Sequence, residues 1–406
     1  MLHGAAMAAR HDVVIIGAGP GGAAAAARLH QRGVRDVVVL ERYDLPRDKP
    51  CGGGLTGHTD EALAAVGLAL RVPHVASHDA VVRFGQFERT VRLGRPVNII
   101  RRTEFDADLV AQVRERGVEV REGVSAEAIA VDHDGVTVRT NRGDLRARVV
   151  IGADGVASVV RAHLLGNAKP LPHRLFMHEL ACPPARRGDT RMVYDFTLMP
   201  RGVRGYLWVF PVSGDRVNVG IMHYPADRRG GPALLADLRH GLAPHGVELP
   251  ARGSRGWPVW GYQPDAPVAG PRLLTVGDAA GIDALTGEGI AVAMEHAAIA
   301  GDAAAHALAS GDVSFAGYRR ALRRAVVGRE LNLDRILAGL LYQRGPRWRE
   351  WMSLVLYDPD MLEMYAARVS GSEVLADQKL RIARAGLRHA TRRWGRLRAL
   401  RAAEQA

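Results

Sequence analysis

The sequence predicts an α/β fold, α+β overall, in which a parallel sheet is interrupted by an antiparallel β-rich insertion and followed by a helical C-terminal region. Three observations point to it. Residues 13–16 and 37–40 are short apolar runs joined by an alanine-rich, helix-compatible segment, the pattern of a strand, a crossover helix and a parallel strand. Residues 81–97 and 173–258 carry weakly alternating runs broken by arginine, glycine and the turn 213–215, as antiparallel strands do. Beyond Tyr318 every stretch reads as helix.

The first strand runs into Gly17-Ala18-Gly19-Pro20-Gly21-Gly22. A side chain at Gly17 would obstruct the bend, Gly19 lets the backbone approach a pyrophosphate, and Gly22 lets the next helix pack closely on the strand. That helix aims its unpaired N–H groups and positive dipole end at the phosphates. Glu41, with Arg42 beside it, closes the second strand where a carboxylate accepts from ribose hydroxyls. Together these residues indicate a dinucleotide on a Rossmann-like domain. In a chain with 46 glycines the bare pattern is cheap, and it recurs at Gly52-Gly53-Gly54-Leu55-Thr56-Gly57. That copy follows the charged loop 44–50 and not a strand, so it is set aside. Arg10 before an apolar stretch ending in alanines has the outline of a signal peptide. The stretch continues into Arg28 and carries glycines where a hydrophobic region belongs, so folded structure is expected.

At 406 residues the chain suits two connected domains or one large α/β unit. No segment supplies the ~18 apolar residues of a spanning helix. Cys51 and Cys182 are too few and too far apart for a disulfide framework, which suits a reducing cytoplasm, and no Cys/His spacing suggests a metal. Most of the net charge of +12 gathers in the tail 379–401, where Arg381, Arg384, Arg388, Arg392, Arg393, Arg396, Arg398 and Arg401 meet no acidic residue. As a helix this tail aligns Leu380, Ala383, Leu387, Ala390, Trp394, Leu397 and Leu400. Two readings stand open: a membrane-surface anchor, or a stripe docked on the protein's own core. No motif with interleaved aromatics appears, so nucleic acid is not expected as a partner.

Along the chain, the glycine cluster 51–54 precedes a helix over 60–70. Antiparallel strands follow over 81–97, then a helix from Phe105, a strand over 118–120, and a meander through 128–131, 135–139 and 145–151. The meander returns at Gly152-Ala153-Asp154-Gly155. Residues 206–210 and 217–221 form strands, and 273–276 leads through Gly277-Asp278 into an alanine-rich helix ending near Ala309. The expected domains are a discontinuous nucleotide-binding unit (11–72, 98–165 and 266–318), a β-rich substrate unit (73–97 and 166–265) and a helical region (319–406).

Five segments now coincide with one pattern. Residues 17–22, 51–55, 102–106, 152–155 and 277–281 with 287–290 resemble the flavoprotein class of para-hydroxybenzoate hydroxylase. Within it, Lys49-Pro50-Cys51-Gly52-Gly53-Gly54-Leu55 and 206–211 with Asn218-Val219-Gly220 resemble the geranylgeranyl reductase family. The resemblance covers residue 11 to about 330. It implies FAD, held by Gly17, Gly19, Pro20, Gly22, Glu41, Arg42, Cys51, Gly52, Gly53, Arg102, Val124, Asp154, Gly155, Asp278, Gly281, Gly287, Gly289 and Ile290. Asp278 would stand at the start of a helix from Ala279. Arg102 would reach the cofactor's phosphate or ribityl portion, or else be a surface partner of Glu104 or Asp106. Gly287 and Gly289 would bring backbone N–H groups to the isoalloxazine, with Glu288 a structural hydrogen-bonder. Two departures touch the substrate side: Asp283-Ala284-Leu285-Thr286 replaces a usual proline, and Met222 stands where a second glycine is usual.

The family's reaction saturates an isoprenoid double bond, which takes a hydride on one carbon and a proton on the other. Tyr206, Trp208 and Phe210 share one strand face, with Leu207 and Val209 on the other. They are candidates for an apolar slot, or for an inter-sheet core. Tyr206 and Trp208 join Cys51 as candidate catalytic residues, and Gly220 joins the aromatics as a candidate substrate contact. NAD(P)H bound without its own Rossmann domain, or ferredoxin, is the expected electron donor. The alternatives are an aromatic monooxygenase or halogenase on the same scaffold, and a non-enzymatic basic protein binding lipid or nucleic acid on a vestigial flavin fold.

Overall fold

The computed structural model describes residues 10–166, 173–224, 230–251, 255–343 and 345–405. Its first sheet runs Ala269–Gly270, Leu273–Thr275, Leu145–Gly152, Arg10–Ile16, Val37–Leu40, Glu119–Arg121, and all but the first of these strands are parallel. Val13 and Ile15 pack with the Pro20–Gln31 and Ile290–Ser310 helices, while Val14 and Ile16 pack on the opposite face with Val136 and Val138 of the meander. Burial on both faces is why this strand reads as an unbroken apolar run. Ala23, Ala24, Ala25, Ala26 and Ala27 are all buried because their helix lies directly against Ile290–Ser310. The meander is Ala126–Val131, Val136–Thr140 and Leu145–Gly152. Its last strand pairs antiparallel with Val136–Thr140 at one end and parallel with Leu273–Thr275 at the other.

The second sheet runs Arg255–Val259, His173–Ala181, Arg216–His223, Leu207–Val212, Met192–Asp195, Val75–Phe84, Phe87–Ile99, Gly54–Leu55. The expectation of an antiparallel insertion needs correction: Met192–Asp195 and Val75–Phe84 are parallel, so the sheet is mixed. Their connection passes through the first sheet, and only a hairpin forces an antiparallel pair. Strand alternation holds around residues 206–210. Leu207 and Val209 pack against Leu234 and Leu238 of the Gly231–Leu242 helix. Tyr206, Trp208 and Phe210 face the other way, into a cluster with Tyr342, Trp348 and Leu362 of the C-terminal region. That region comprises the helices Tyr318–Arg324, Val326–Leu341, Trp348–Tyr357, Pro359–Ser370 and Lys379–Gln405.

Two further expectations are corrected. The helix expected over 60–70 is Gly57–Ala65. The alanine-rich helix does not begin at Ala279: Gly277–Ala279 is one 3-10 turn and the helix starts at Ile290. Gly281 and Gly287 between them adopt positive φ, which a continuing right-handed helix excludes. Among the described residues, no helix is long and apolar enough to cross a membrane.

Candidate cofactor and substrate site

A cleft opens where the C-terminal ends of the first sheet's parallel strands meet the second sheet. It gathers Gly17, Gly19 and Pro20 with Glu41, Arg42, Cys51, Gly52, Gly53, Arg102, Val124, Asp154, Gly155, Asp278, Gly287, Gly289 and Ile290. Tyr206, Trp208 and Phe210 line the same cleft. Three sequence candidates do not line it. A Cβ on Gly22 would lie 1.8 Å from the Gly17 carbonyl oxygen, so Gly22 packs helix on turn. A Cβ on Gly281 would lie 2.9 Å from Tyr262 Cα, making this glycine a close backbone crossing. Gly220 stands opposite Trp208 in the second sheet and belongs to the ladder.

The nucleotide end is built from backbone and from paired charge. Gly17 takes φ +100°, and a Cβ there would lie 2.4 Å from the Ala153 carbonyl oxygen. The turn delivers the Pro20–Gln31 helix with its first N–H groups toward the cleft. Glu41 accepts from the Ala18 N–H at 3.1 Å and the Tyr43 N–H at 3.2 Å, and Arg47 Nε lies 3.3 Å away. A carboxylate has about four acceptor positions, which leaves capacity for a ribose hydroxyl. Asp154 Oδ2 accepts from the Val159 N–H at 2.7 Å, while buried Oδ1 has no partner among the described residues. Burial pushes the Asp154 carboxyl up to about 6, against the hydrogen bonds from Ser158 and Val159. Asp278 pairs with Lys49 at 3.0 Å and sits in the 3-10 turn, not at a helix N-terminus. The terminus that does reach the cleft is that of Ile290–Ser310, entered through Gly287 and Gly289. A glycine turn, an acceptor carboxylate, a partnerless buried oxygen and two helix N-termini on one cleft fit a dinucleotide.

Arg102 is not a surface residue. It is buried, and its Nε and Nη2 each reach Asp106 at 2.7 Å. Desolvation opposes its charge, but Asp106 and the neighbouring Cys51 more than offset that and raise its pKa. Asp106 also meets Arg47 at 3.0 Å. Desolvation likewise opposes its ionisation, and Arg102, Arg47 and Lys49 still hold it below the usual carboxylate range.

The aromatic end is tied to the glycine cluster by the side-chain amide of Asn218. Trp208 Nε1 donates to Asn218 Oδ1 at 2.9 Å, and Asn218 Nδ2 donates to the Cys51 carbonyl at 2.8 Å. A Cβ on Gly52 would lie 3.2 Å from the Phe210 ring, so the cluster lies flat on the aromatics. Cys51 Sγ accepts from the Gly53 N–H at 3.4 Å. Tyr206 packs on Tyr194 and Trp208, with centroids 5.3 and 6.3 Å apart, and its hydroxyl donates to the Thr286 carbonyl. Burial, reinforced by Tyr194 and Tyr342, keeps that phenol neutral far above its usual titration range. The segment 283–286 is ordered by Asp283, which accepts from the Leu285 N–H at 2.6 Å and the Thr286 N–H at 2.9 Å. The carboxylate supplies the turn where the family pattern has proline. Met222 lines the cleft, its sulfur 3.1 Å from where a Cβ on Gly287 would stand.

Several lining residues escaped the sequence reading. Arg47 and Lys49 sit in a loop that reads as a charged linker, with no pattern that singles out either side chain. Glu288, expected as a structural hydrogen-bonder, joins Thr56 by hydrogen bond and Arg368 at 2.7 Å. Arg368 also meets Glu330 at 2.7 Å and Asp334 at 2.9 Å, all buried. Desolvation disfavours the Glu288 charge, yet Arg368, His58 and Thr56 hold its pKa low. Desolvation wins at Asp334, whose pKa rises well above normal despite Arg368. No local motif marks this cluster, because Arg368 lies 34 to 80 positions from the carboxylates it joins.

Comparison with known proteins agrees with this geometry. A family model described as FAD binding domain matches residues 10–327. The chain is 30% identical to a menaquinone reductase of Mycolicibacterium smegmatis, over 93% of this chain and 95% of that one. It is 29% identical to digeranylgeranylglycerophospholipid reductase 2 of Methanopyrus kandleri, over 76% and 80%. The fold matches that of a geranylgeranyl bacteriochlorophyll reductase-like protein from Thermoplasma acidophilum with a TM-score of 0.73 and 19% identity, covering 91% of this chain and 99% of that one. The chain belongs to the FAD-binding-domain family and is an FAD-dependent oxidoreductase of the geranylgeranyl reductase-like kind.

Proposed function

We propose that this protein saturates carbon–carbon double bonds of a prenyl chain carried by a lipid, a quinone or a prenylated metabolite. The observation that carries the reading is one cleft with a dinucleotide-fitting end and a wall of Tyr206, Trp208 and Phe210 at the other. The names of the relatives, a menaquinone reductase and a prenyl-glycerophospholipid reductase, support it. FAD, once reduced, supplies a hydride. The chain's own part is to hold the glycine turns open to the cofactor, to present an apolar face to an alkene, and to keep water from that face. Tyr206 stays neutral and fixes the loop carrying Gly287 through Thr286. Cys51 lines the cleft beside Arg102, where it serves proton delivery or tunes the cofactor. Electrons come from NAD(P)H bound without a second nucleotide domain, or from ferredoxin.

Anaerobic incubation of the chemically reduced protein with a panel of prenyl lipids tests the reading. The product gains a pair of hydrogen atoms per bond saturated; oxygen incorporation, or turnover only in air, would instead establish a monooxygenase or halogenase. Tyr206→Phe and Cys51→Ala are expected to keep bound flavin and lose turnover. Unchanged turnover in both removes these two residues from the mechanism.

A further inference from the structure

The apolar stripe of the Lys379–Gln405 helix is split between two surfaces. Ala385, Leu397 and Leu400 are buried against the body. On that side Arg388 and Arg396 reach Asp358 at 2.8 and 3.1 Å, Arg393 pairs with Glu350, and the Ala403 carbonyl accepts from the Gln86 N–H at 3.1 Å. Leu380, Leu387 and Trp394 point away and are 75, 72 and 74% exposed, whereas the next most exposed large apolar residue described, Tyr43, reaches 49%. They stand seven residues apart, and a straight helix drifts only ~20° per heptad, so the three form one line. Lys379, Arg384, Arg392, Arg398 and Arg401 are exposed around it, and no acidic residue lies between Gln378 and Ala403.

We propose that this face docks on the surface of an anionic phospholipid bilayer. The leucines and Trp394 would enter the boundary between headgroups and acyl chains while the cations meet lipid phosphates. A second copy is a poor occupant, since self-pairing of this face would set arginine against arginine. A nucleic acid would use the cations and leave the leucines and tryptophan in water. The Pro359–Ser370 helix lies against the tail and contributes Val369 to the cleft wall. Docking therefore brings the cleft close to the membrane that holds a prenyl lipid, a consequence that rests on the proposed function; the docking itself does not.

Co-sedimentation of the full chain with vesicles tests the proposal, using phosphatidylcholine alone and phosphatidylcholine mixed with phosphatidylglycerol, at low and high salt. Binding to the anionic vesicles, weakened by salt, is expected. The triple variant Leu380→Ser, Leu387→Ser, Trp394→Ser should bind about tenfold or more weakly, with unchanged melting temperature and flavin content because the three side chains leave no cavity. The emission lost on Trp394→Phe should be the part that shifts to shorter wavelength with vesicles. Equal sedimentation of the triple variant overturns the proposal. So does indifference to vesicle composition, and so does a dimer or DNA complex that the triple variant abolishes while vesicles are ignored. Reduction of a detergent-dispersed prenyl substrate without vesicle binding defeats the docking alone; vesicle binding without reduction of any prenyl substrate defeats the proposed function alone.

Discussion

The two ends of the cleft are made by opposite means. At the nucleotide end, close approach comes from residues without side chains, and charge is held in pairs: Glu41 with Arg47, Arg102 with Asp106, Lys49 with Asp278. At the aromatic end bulk decides, with Tyr194, Tyr206, Trp208, Phe210 and Met222 filling space. The few polar atoms there bond to one another, as Trp208, Asn218 and the Cys51 carbonyl do. The first end should therefore govern flavin retention and respond to pH, and the second should govern turnover and substrate choice with flavin retained.

The sharpest break falls where the ends share a residue. Glu288 lines the cleft and leans on Arg368, which joins it to Glu330 and Asp334. Arg368→Met leaves three buried carboxyl groups without their cation. Removing one partner of a buried ion pair costs about 3–5 kcal/mol, so denaturant unfolding should register a loss of that size together with loss of flavin. A variant as stable as the parent would show that the cluster is not holding Glu288.

Asp154 tests the nucleotide end alone. Its carboxyl titrates near 6 in the folded chain against an unfolded value near 3.8. A folded value raised above the unfolded one stabilises the fold while the group is protonated, below the unfolded value. That contribution is lost as pH rises through about 6. Flavin hydroxyls donating to the carboxylate would draw the value back down, so FAD affinity should rise with pH up to about 6 and then level. Asp154→Asn should flatten both dependences, read by apoprotein melting and by flavin titration between pH 4.5 and about 7.5. A slope that survives in Asp154→Asn assigns the titration to another group.

The same contrast explains what the sequence discloses. The nucleotide end is legible because its geometry is local: Gly17 to Gly22 is a turn and the first residues of its helix, and Glu41 directly follows the very next strand. The alternation of 206–210 is legible for the same reason, since a strand's two faces follow from parity. The long helix was placed too early because alanines favour helix wherever they fall, while the positive φ at Gly281 and Gly287 is set by a crossing chain, Tyr262 in the first case. The parallel pairing of Met192–Asp195 with Val75–Phe84 and the Arg368 cluster stayed hidden, since each joins segments distant in sequence and neither follows from periodicity. The tail shows a mixed case. Its stripe was legible, but which leucines face the body depends on where Asp358 and Gln86 lie.

The smallest effect should come from Trp208→Phe. An aromatic ring is kept, but three ring atoms go, and with them the Nε1–H that donates to Asn218. Asn218 Nδ2 still reaches the Cys51 carbonyl, but its amide is no longer fixed from behind, and its buried Oδ1 loses a donor. A hydrogen bond of this kind contributes about 1 kcal/mol and the small cavity left by the shorter ring about as much again, so melting should fall by less than in Arg368→Met. If the two ends are separable, flavin content stays full while turnover falls, because the Cys51–Gly54 segment is less well held on the aromatic wall. Loss of flavin from this variant would mean that the glycine cluster transmits slack from the aromatic end to the nucleotide end, and the division drawn between them would have to be given up.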